Sequence, residues 1–317
     1  MNASPSSTAP RAGWATELPI VLQQVAGEFQ ILDRRNNAAL GEVHQTGFAS
    51  TRREGVICLA MNRDYLAQAR ENPCARAIIV PPPLADARVS PDQAVIVSGC
   101  AEELYLYLHA EQTPESEDEM ADIDAEASLD ASAVLRGRVR IEAGARVGPR
   151  VVISGPAIVR AGARIDAGAI LGCDGLYAKT MRGHRMNMPH FGGVEIGRSA
   201  YIHAGAVIVR SAIRGEVTRI GEAAHVGVMA NIGHDAEIGD AATLSSNCVI
   251  AGRASVGAHA WVGASATVSN AIRIGDGARV RLGAVVVRDV PAGASVSGNF
   301  AVDHARTMRA YLKAAKP

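Results

Sequence analysis

The chain has 317 residues with 32 basic and 32 acidic side chains, so its formal net charge is zero. A nucleic-acid-binding surface, which needs a basic excess, is not expected. Aromatic residues make up only 4% while glycine reaches 32 residues, so a conventional aromatic-rich core is excluded and something else must fill the interior. Five cysteines (Cys58, Cys74, Cys100, Cys173, Cys248) without a C-x-x-C pair do not suggest a disulfide framework. No apolar run approaches the length of a membrane span.

In chain order, residues 1–13 (MNASPSSTAPRAG) are small, polar and proline-containing. They lack the apolar core of a signal peptide, so a disordered tail and a cytoplasmic location are expected. Residues 14–110 carry strand-like runs (AIIV at 77–80, AVIV at 94–97) and helix-like ones (DYLAQAR, AEELYLYLHAEQ), which predicts a small α/β domain. Residues 111–122 form an acidic linker; the stretch 111–130 holds nine acids and no base. From 123 to 299 a repeat takes over, interrupted at 173–193 by CDGLYAKTMRGHRMNMPHFGG. After DVPAGASVSGN the tail 300–317 reads as one short helix.

The repeat has a period of six. Ile123, Leu129, Leu135, Ile141, Val147, Ile153, Val159, Ile165 and Leu171 are nine aliphatic residues at nine consecutive steps. The pattern resumes one residue out of phase at Ile196, and fifteen of sixteen sites to Val286 are aliphatic, Arg214 being the exception. Four residues after each stands a small residue, alanine in twelve of fifteen hexads between Ala200 and Ala284, with Thr218, Cys248 and Ile272 departing. Strands repeat every two residues and helices every 3.6, so neither produces a six. One short strand plus one corner does, and three hexads close a triangular coil. The predicted fold is mainly β: a left-handed parallel β-helix of three coils, a loop and five more coils, every aliphatic residue of the repeat pointing inward.

A packed β-helix interior leaves chemistry to its outer faces, the inserted loop and subunit boundaries. Of nine histidines, His44, His109 and His304 read as surface residues. No two histidines are 18 or 36 residues apart, so no metal site within one chain is predicted. His234, in NIGHDAEIG, stands two residues after the inward Ile232 and before Asp235, where its side chain leaves the coil near a corner. Spacing alone leaves it an ordinary surface histidine.

The hexads resemble those of bacterial hexapeptide acyltransferases, and three further features resemble the UDP-3-O-acylglucosamine N-acyltransferases of lipid A biosynthesis. Gly172-Cys-Asp-Gly-Leu176 and Met188-Pro-His-Phe-Gly-Gly-Val-Glu-Ile-Gly197 stand where that family shows G-x-D-G-F and I-P-Q-x-G-x-V-x-I-G. Ile232-Gly233-His234 matches the I-A-H of the family's catalytic base, and Leu59-Ala-Met-Asn62-Arg-Asp-Tyr65 the uridine-binding F-x-x-N-P-K-Y. The likeness covers about residues 20 to 300. It departs at Leu59 (the stacking Phe), Gly227 and Val209 (two acids) and Ala271 (a second histidine). GHDAEIG and GARVRLGAVVVRDVPAGASVSGN are similar to acetyl-CoA-dependent sugar acetyltransferases.

The resemblance implies acyl transfer from a thioester, carried by acyl carrier protein or coenzyme A, to an amine or hydroxyl of a nucleotide-linked sugar, the amine being favoured. His234 would be the general base and Asp235 would fix its tautomer; Asn62, Tyr65, Leu59 and His190 would contact the substrate. No bound cofactor is implied. A homotrimer is, with active sites between neighbouring chains. Residues 273–316 hold eight basic groups against three acids, an attractive end for an acidic carrier or for coenzyme A phosphates. An acetyl-CoA-dependent sugar acetyltransferase and a non-catalytic β-helix scaffold remain as alternatives; a γ-type carbonic anhydrase would need a histidine triad that the spacing lacks.

Overall fold

A computed structural model describes residues 18–112, 121–181 and 183–298 and the positions 305, 309 and 313, the side chains of 181 and 184 excepted. The residues from 123 to 298 wind into eight stacked triangular coils, a left-handed parallel β-helix. Its first face is an eight-stranded sheet running from Asp122–Ile123 to Arg273–Ile274. The second has nine strands, from Ser128–Leu129 to Ser295–Val296, and the third eight, from Val134–Arg136 to Val285–Val286. At the spacing of parallel strands the stack is about 38 Å long.

Each hexad places its parts in register. The inward aliphatic residues pair with their counterparts one coil on, Ile232 with Ile250 and Ile220 with Ile238. The small residue four places later is also sealed; Ala200, Ala206, Ala224, Ala230 and Ala236 are all at 0% exposure, which is why anything bulkier is rare there. The residue between them, three places after the inward one, turns the corner with a positive φ: Ser199, Ala223, Met229, Asp235, Asn247 and Arg253 lie between 52° and 63°. A left-handed backbone costs a side-chain-bearing residue about 1–2 kcal/mol, and stacked hydrogen bonds such as Arg253 N–H to His234 O at 2.8 Å hold it there.

Two expectations from the repeat need correction. Arg214 is no failed inward site: Ile208 pairs with Ile232, 24 residues on instead of 18, because the hexad 211–216 bulges out as an extra loop at the corner. An insertion of six leaves the sequence phase unbroken and so hides itself. Ile123 is not inside but 45% exposed, since it lies in the terminal coil, on whose outer side no coil is stacked among the described residues.

The N-terminal part is a five-stranded sheet, β1 (Ile31–Arg35), β2 (Gln45–Gly47), β3 (Val56–Leu59), β4 (Ala75–Val80) and β5 (Ala94–Ser98), in the order β1-β5-β4-β3-β2. Only the β1–β5 pairing is antiparallel. Helices α1 (Leu18–Gln24) and α3 (Ala101–Ala110) cover one face with Leu22, Leu104 and Leu108; α2 (Arg63–Glu71) covers the other with Leu66 and Ala69. The loop inserted into the β-helix carries a hairpin, Ala178–Met181 with His184–Asn187, and then seals Met188 into the core under α3. The loop is thereby clamped between the two parts of the molecule. Positions 305, 309 and 313 are helical; the rest of 300–317, like residues 1–17 and 113–120, lies outside the described residues. Among the described residues no helix is long and apolar enough to cross a membrane.

Candidate active site

His234 stands at the corner between the third and first faces, between the strands Asn231–Ile232 and Glu237–Ile238. Its Nδ1 is 2.7 Å from Oδ2 of Asp235. A carboxylate only accepts, so Nδ1 carries the proton and Nε2 presents a lone pair. Asp235 is itself fixed on every side. Its backbone takes the left-handed corner conformation (φ 58°), one that Asp and Asn adopt more readily than most residues. Its N–H donates to Thr218 Oγ1 at 2.8 Å, its Oδ1 accepts from the Ser211 hydroxyl and its Oδ2 from the Ala212 N–H at 3.2 Å. Ser211 and Ala212 belong to the six-residue bulge, so the bulge orients the acid that orients the histidine.

One coil above, Gly252 occupies the slot equivalent to His234. A Cβ there would lie 2.5 Å from His234 Nε2, 2.8 Å from Cδ2 and 2.9 Å from Cε1, over the face of the ring, so the glycine is what lets the imidazole pack against this coil. Around the imidazole stand three rings: Tyr177 parallel to it at 6.1 Å between centroids, His190 perpendicular at 5.6 Å and Phe48 at 6.4 Å. They come from the inserted loop and the N-terminal domain, which pack against this corner together.

His190 is 4% exposed. Its Nδ1 lies 3.2 Å from Met188 O, while its Nε2 has no hydrogen-bond partner among the described residues. Burial pushes its pKa below the ordinary histidine value, with the His234 ring adding to the effect. His109 corrects the surface reading: it is 2% exposed, with Nδ1 2.7 Å from Thr46 Oγ1 and Nε2 2.9 Å from Pro189 O. It ties α3 and β2 to the residue before His190, and burial lowers its pKa too. His44 is exposed; His304 lies outside the described residues.

The remaining sequence candidates are spread more widely. Tyr65, 37% exposed, has its ring 5.7 Å from the Arg253 guanidinium, which also lies 4.6 Å above the Phe48 ring. Together these line the side of the corner facing the N-terminal domain. Asn62 is the N-cap of α2, its Oδ1 accepting from Tyr65 N–H at 2.9 Å, a local role that positions Tyr65. Leu59 is half-buried against the domain core. Beside Asp235 a groove of about 270 Å³ runs between the domain and the first face, lined by Phe48, Arg52, Gln68, Glu237, Arg253 and Arg273. Among the described residues no group of three His, Cys, Asp or Glu side chains could hold a metal.

Sequence reasoning missed Phe48, Tyr177, Ser211, Thr218, Gly252 and Arg253. Gly252 and Arg253 had a signal, since they lie 18 residues, one coil, beyond His234 and Asp235. Thr218 also had one, as a departure from alanine in its hexad slot; Phe48, Tyr177 and Ser211 reach the corner from segments whose placement no repeat encodes.

No family model matches the chain, and no curated protein does. Solved structures similar to it include a UDP-N-acetylglucosamine O-acyltransferase from Moraxella catarrhalis RH4. That one is 26% identical over 60% of this chain and 76% of the other, with a TM-score of 0.47. A UDP-N-acetylglucosamine acyltransferase from Francisella novicida is 24% identical over 56% and 66%, with a TM-score of 0.43. A variant of a perosamine N-acetyltransferase from Caulobacter crescentus, solved with CoA and GDP-perosamine, is 18% identical over 84% and 90%, with a TM-score of 0.24.

Proposed function

We propose that this corner is the active site of an acyltransferase that moves an acyl group from a thioester to an amine or hydroxyl of a nucleotide-linked sugar. The observation that carries the reading is the dyad: Asp235 locks His234 Nδ1 as a donor at 2.7 Å, leaving Nε2 as the base, with the face of the ring seated against Gly252. A histidine held in that tautomer removes a proton from an attacking nucleophile and returns it to the leaving thiolate. The sequence resemblance around Ile232-Gly233-His234 supports the same assignment.

The acceptor's nucleotide lies in the groove beside Asp235, where Phe48 and Tyr65 offer ring faces and Arg253 and Arg273 offer charge for phosphates. The donor, acyl carrier protein or coenzyme A, approaches from the third face. That face exposes an apolar row, Val134, Ile170, Val249 and Val285, quite unlike the first face with its Asp122–Arg140 and Arg219–Glu195 pairs. A row of that kind suits a second copy of the chain, which gives a trimer with the site at each subunit boundary.

The test is His234→Ala with a panel of acyl thioesters and nucleotide sugars. Expected is a fall in kcat of roughly 10²–10⁴-fold with KM little changed and melting unaffected. Full turnover in a folded alanine variant would exclude His234 as the base; no transfer by the wild-type protein to any acceptor would favour a scaffold.

A further inference from the structure

Next to His234 the site holds a second imidazole whose chemistry the dyad does not use. His190 Nδ1 sits 3.2 Å from the Met188 carbonyl oxygen. That oxygen can only accept, so Nδ1 carries the proton and the neutral ring presents a lone pair at Nε2. This nitrogen is buried and has no partner among the described residues. A buried acceptor left without a donor is unfavourable, and native structures rarely keep one without a purpose. Burial holds the ring neutral, which keeps Nε2 an acceptor.

His234 arrives at the same state through Asp235, so two imidazoles with bare Nε2 atoms stand perpendicular, their centroids 5.6 Å apart. Hydrogen bonds of about 2.9 Å from both nitrogens to one shared atom are compatible with that separation. A hydroxyl has one hydrogen and satisfies one of the two. A primary amine has two and satisfies both. A Cβ at Gly175 would lie 3.2 Å from His190 Nε2 and 3.0 Å from Val209 Cγ1, so only a glycine lets the chain pass this close to the nitrogen.

Resting on the proposed function, we infer that His190 is a specificity-determining residue: its Nε2 accepts the second N–H of the acceptor amine while His234 takes the first, so the site selects amines over hydroxyls. The balance is consistent. As the amine nitrogen bonds to the thioester carbonyl carbon, one proton passes to His234 Nε2 and from there to the departing thiolate. The other hydrogen stays on nitrogen as the amide N–H, held by His190 throughout. An ester product has no such hydrogen, and in that reaction the second lone pair stays unsatisfied.

The experiment uses the full chain with histidine labelled by ¹⁵N and two probes, glucosamine and glucose, which differ by an amine for a hydroxyl. Glucosamine should move the Nε2 resonances of both His190 and His234, the former assigned by its loss in His190→Phe; glucose should leave that of His190 in place. In parallel, His190→Phe should melt no lower than wild type, because an unsatisfied polar atom is removed. It should also lose about ten- to a hundredfold of the preference for a nucleotide-linked amino sugar over its hydroxyl counterpart. If glucosamine moves only His234, or His190→Phe keeps the full amine preference while His234→Ala abolishes transfer, the role of His190 is wrong and the dyad stands. If neither resonance moves and neither acceptor is acylated, the proposed function falls with it.

Discussion

The placement of Gly252 against the His234 ring gives a sharp prediction for Gly252→Ala, taking His234 as the proposed base. The new Cβ would start 2.5 Å from His234 Nε2, 2.8 Å from Cδ2 and 2.9 Å from Cε1, whereas ordinary contacts begin near 3.4 Å. The imidazole must therefore withdraw by about 0.9 Å, or the corner must shift by as much. Such a move pulls Nδ1 away from Asp235, whose bond is 2.7 Å, and takes Nε2 off the line of attack. A misplacement of about 1 Å in a catalytic constellation costs on the order of 10²-fold in rate. Stability should change little, because φ at Gly252 is not in the left-handed region and the ring is partly exposed. Replacing Gly with Ala also restricts the unfolded chain, a gain of about 0.4–1 kcal/mol that offsets part of the crowding. The assay is steady-state acyl transfer alongside thermal melting, with His234→Ala and the double variant as partners. Since the methyl acts through the imidazole, the double variant should be no slower than His234→Ala alone. Gly233→Ala is the contrasting control: its Cβ would lie 2.5 Å from the Gly252 backbone nitrogen, so it should cost folding instead. Wild-type kcat in a folded Gly252→Ala protein would refute the requirement that the His234 ring stay seated against the next coil.

Asp235→Asn suits the left-handed corner as well as Asp does and keeps the Thr218 contact, so it should melt normally yet lose about 10²-fold or more in kcat, read by the same assay. If the proposed trimer forms through the apolar row of the third face, Val285→Glu or Val249→Glu should shift the sedimentation profile to monomer and reduce activity with it. His109→Ala removes the partner of the Thr46 hydroxyl hydrogen and of the Pro189 carbonyl, while Gln112 Nε2 still donates to Thr46 Oγ1, and should lower unfolding free energy in urea by about 2–4 kcal/mol. His109 also sets a pH dependence: its folded pKa lies below the ordinary 6.5, so between the two values the unfolded chain binds the extra proton. Stability from this group is complete above pH 6.5 and is lost as pH falls toward the folded pKa, and His109→Gln should flatten that slope in melts taken across the range.

The period of six was written in the sequence because a β-helix is built from local rules. One inward aliphatic, one corner and one sealed alanine recur in every hexad, so stacking on the preceding coil dictates each position. The corner position of His234 and Asp235 was legible for the same reason, since their slot in the hexad puts them there, whereas only the family resemblance, not the spacing, proposed a role for them. The six-residue bulge at 211–216 was invisible because its length equals the period, and with it went Ser211, which holds Asp235 in place. His109 read as a surface residue because its partners, Thr46 and Pro189, are 63 and 80 positions away. Its burial follows from how α3 meets the inserted loop, which local pattern does not encode. The same holds for the approach of Phe48 and Tyr177 to His234. The sequence by itself determined the coil, its register and the corner that carries the histidine, since these follow from interactions repeated every eighteen residues. Tertiary structure alone decided what closes around that corner, because the N-terminal domain and the loop reach it through single, non-repeating contacts between Met188, His109 and their partners.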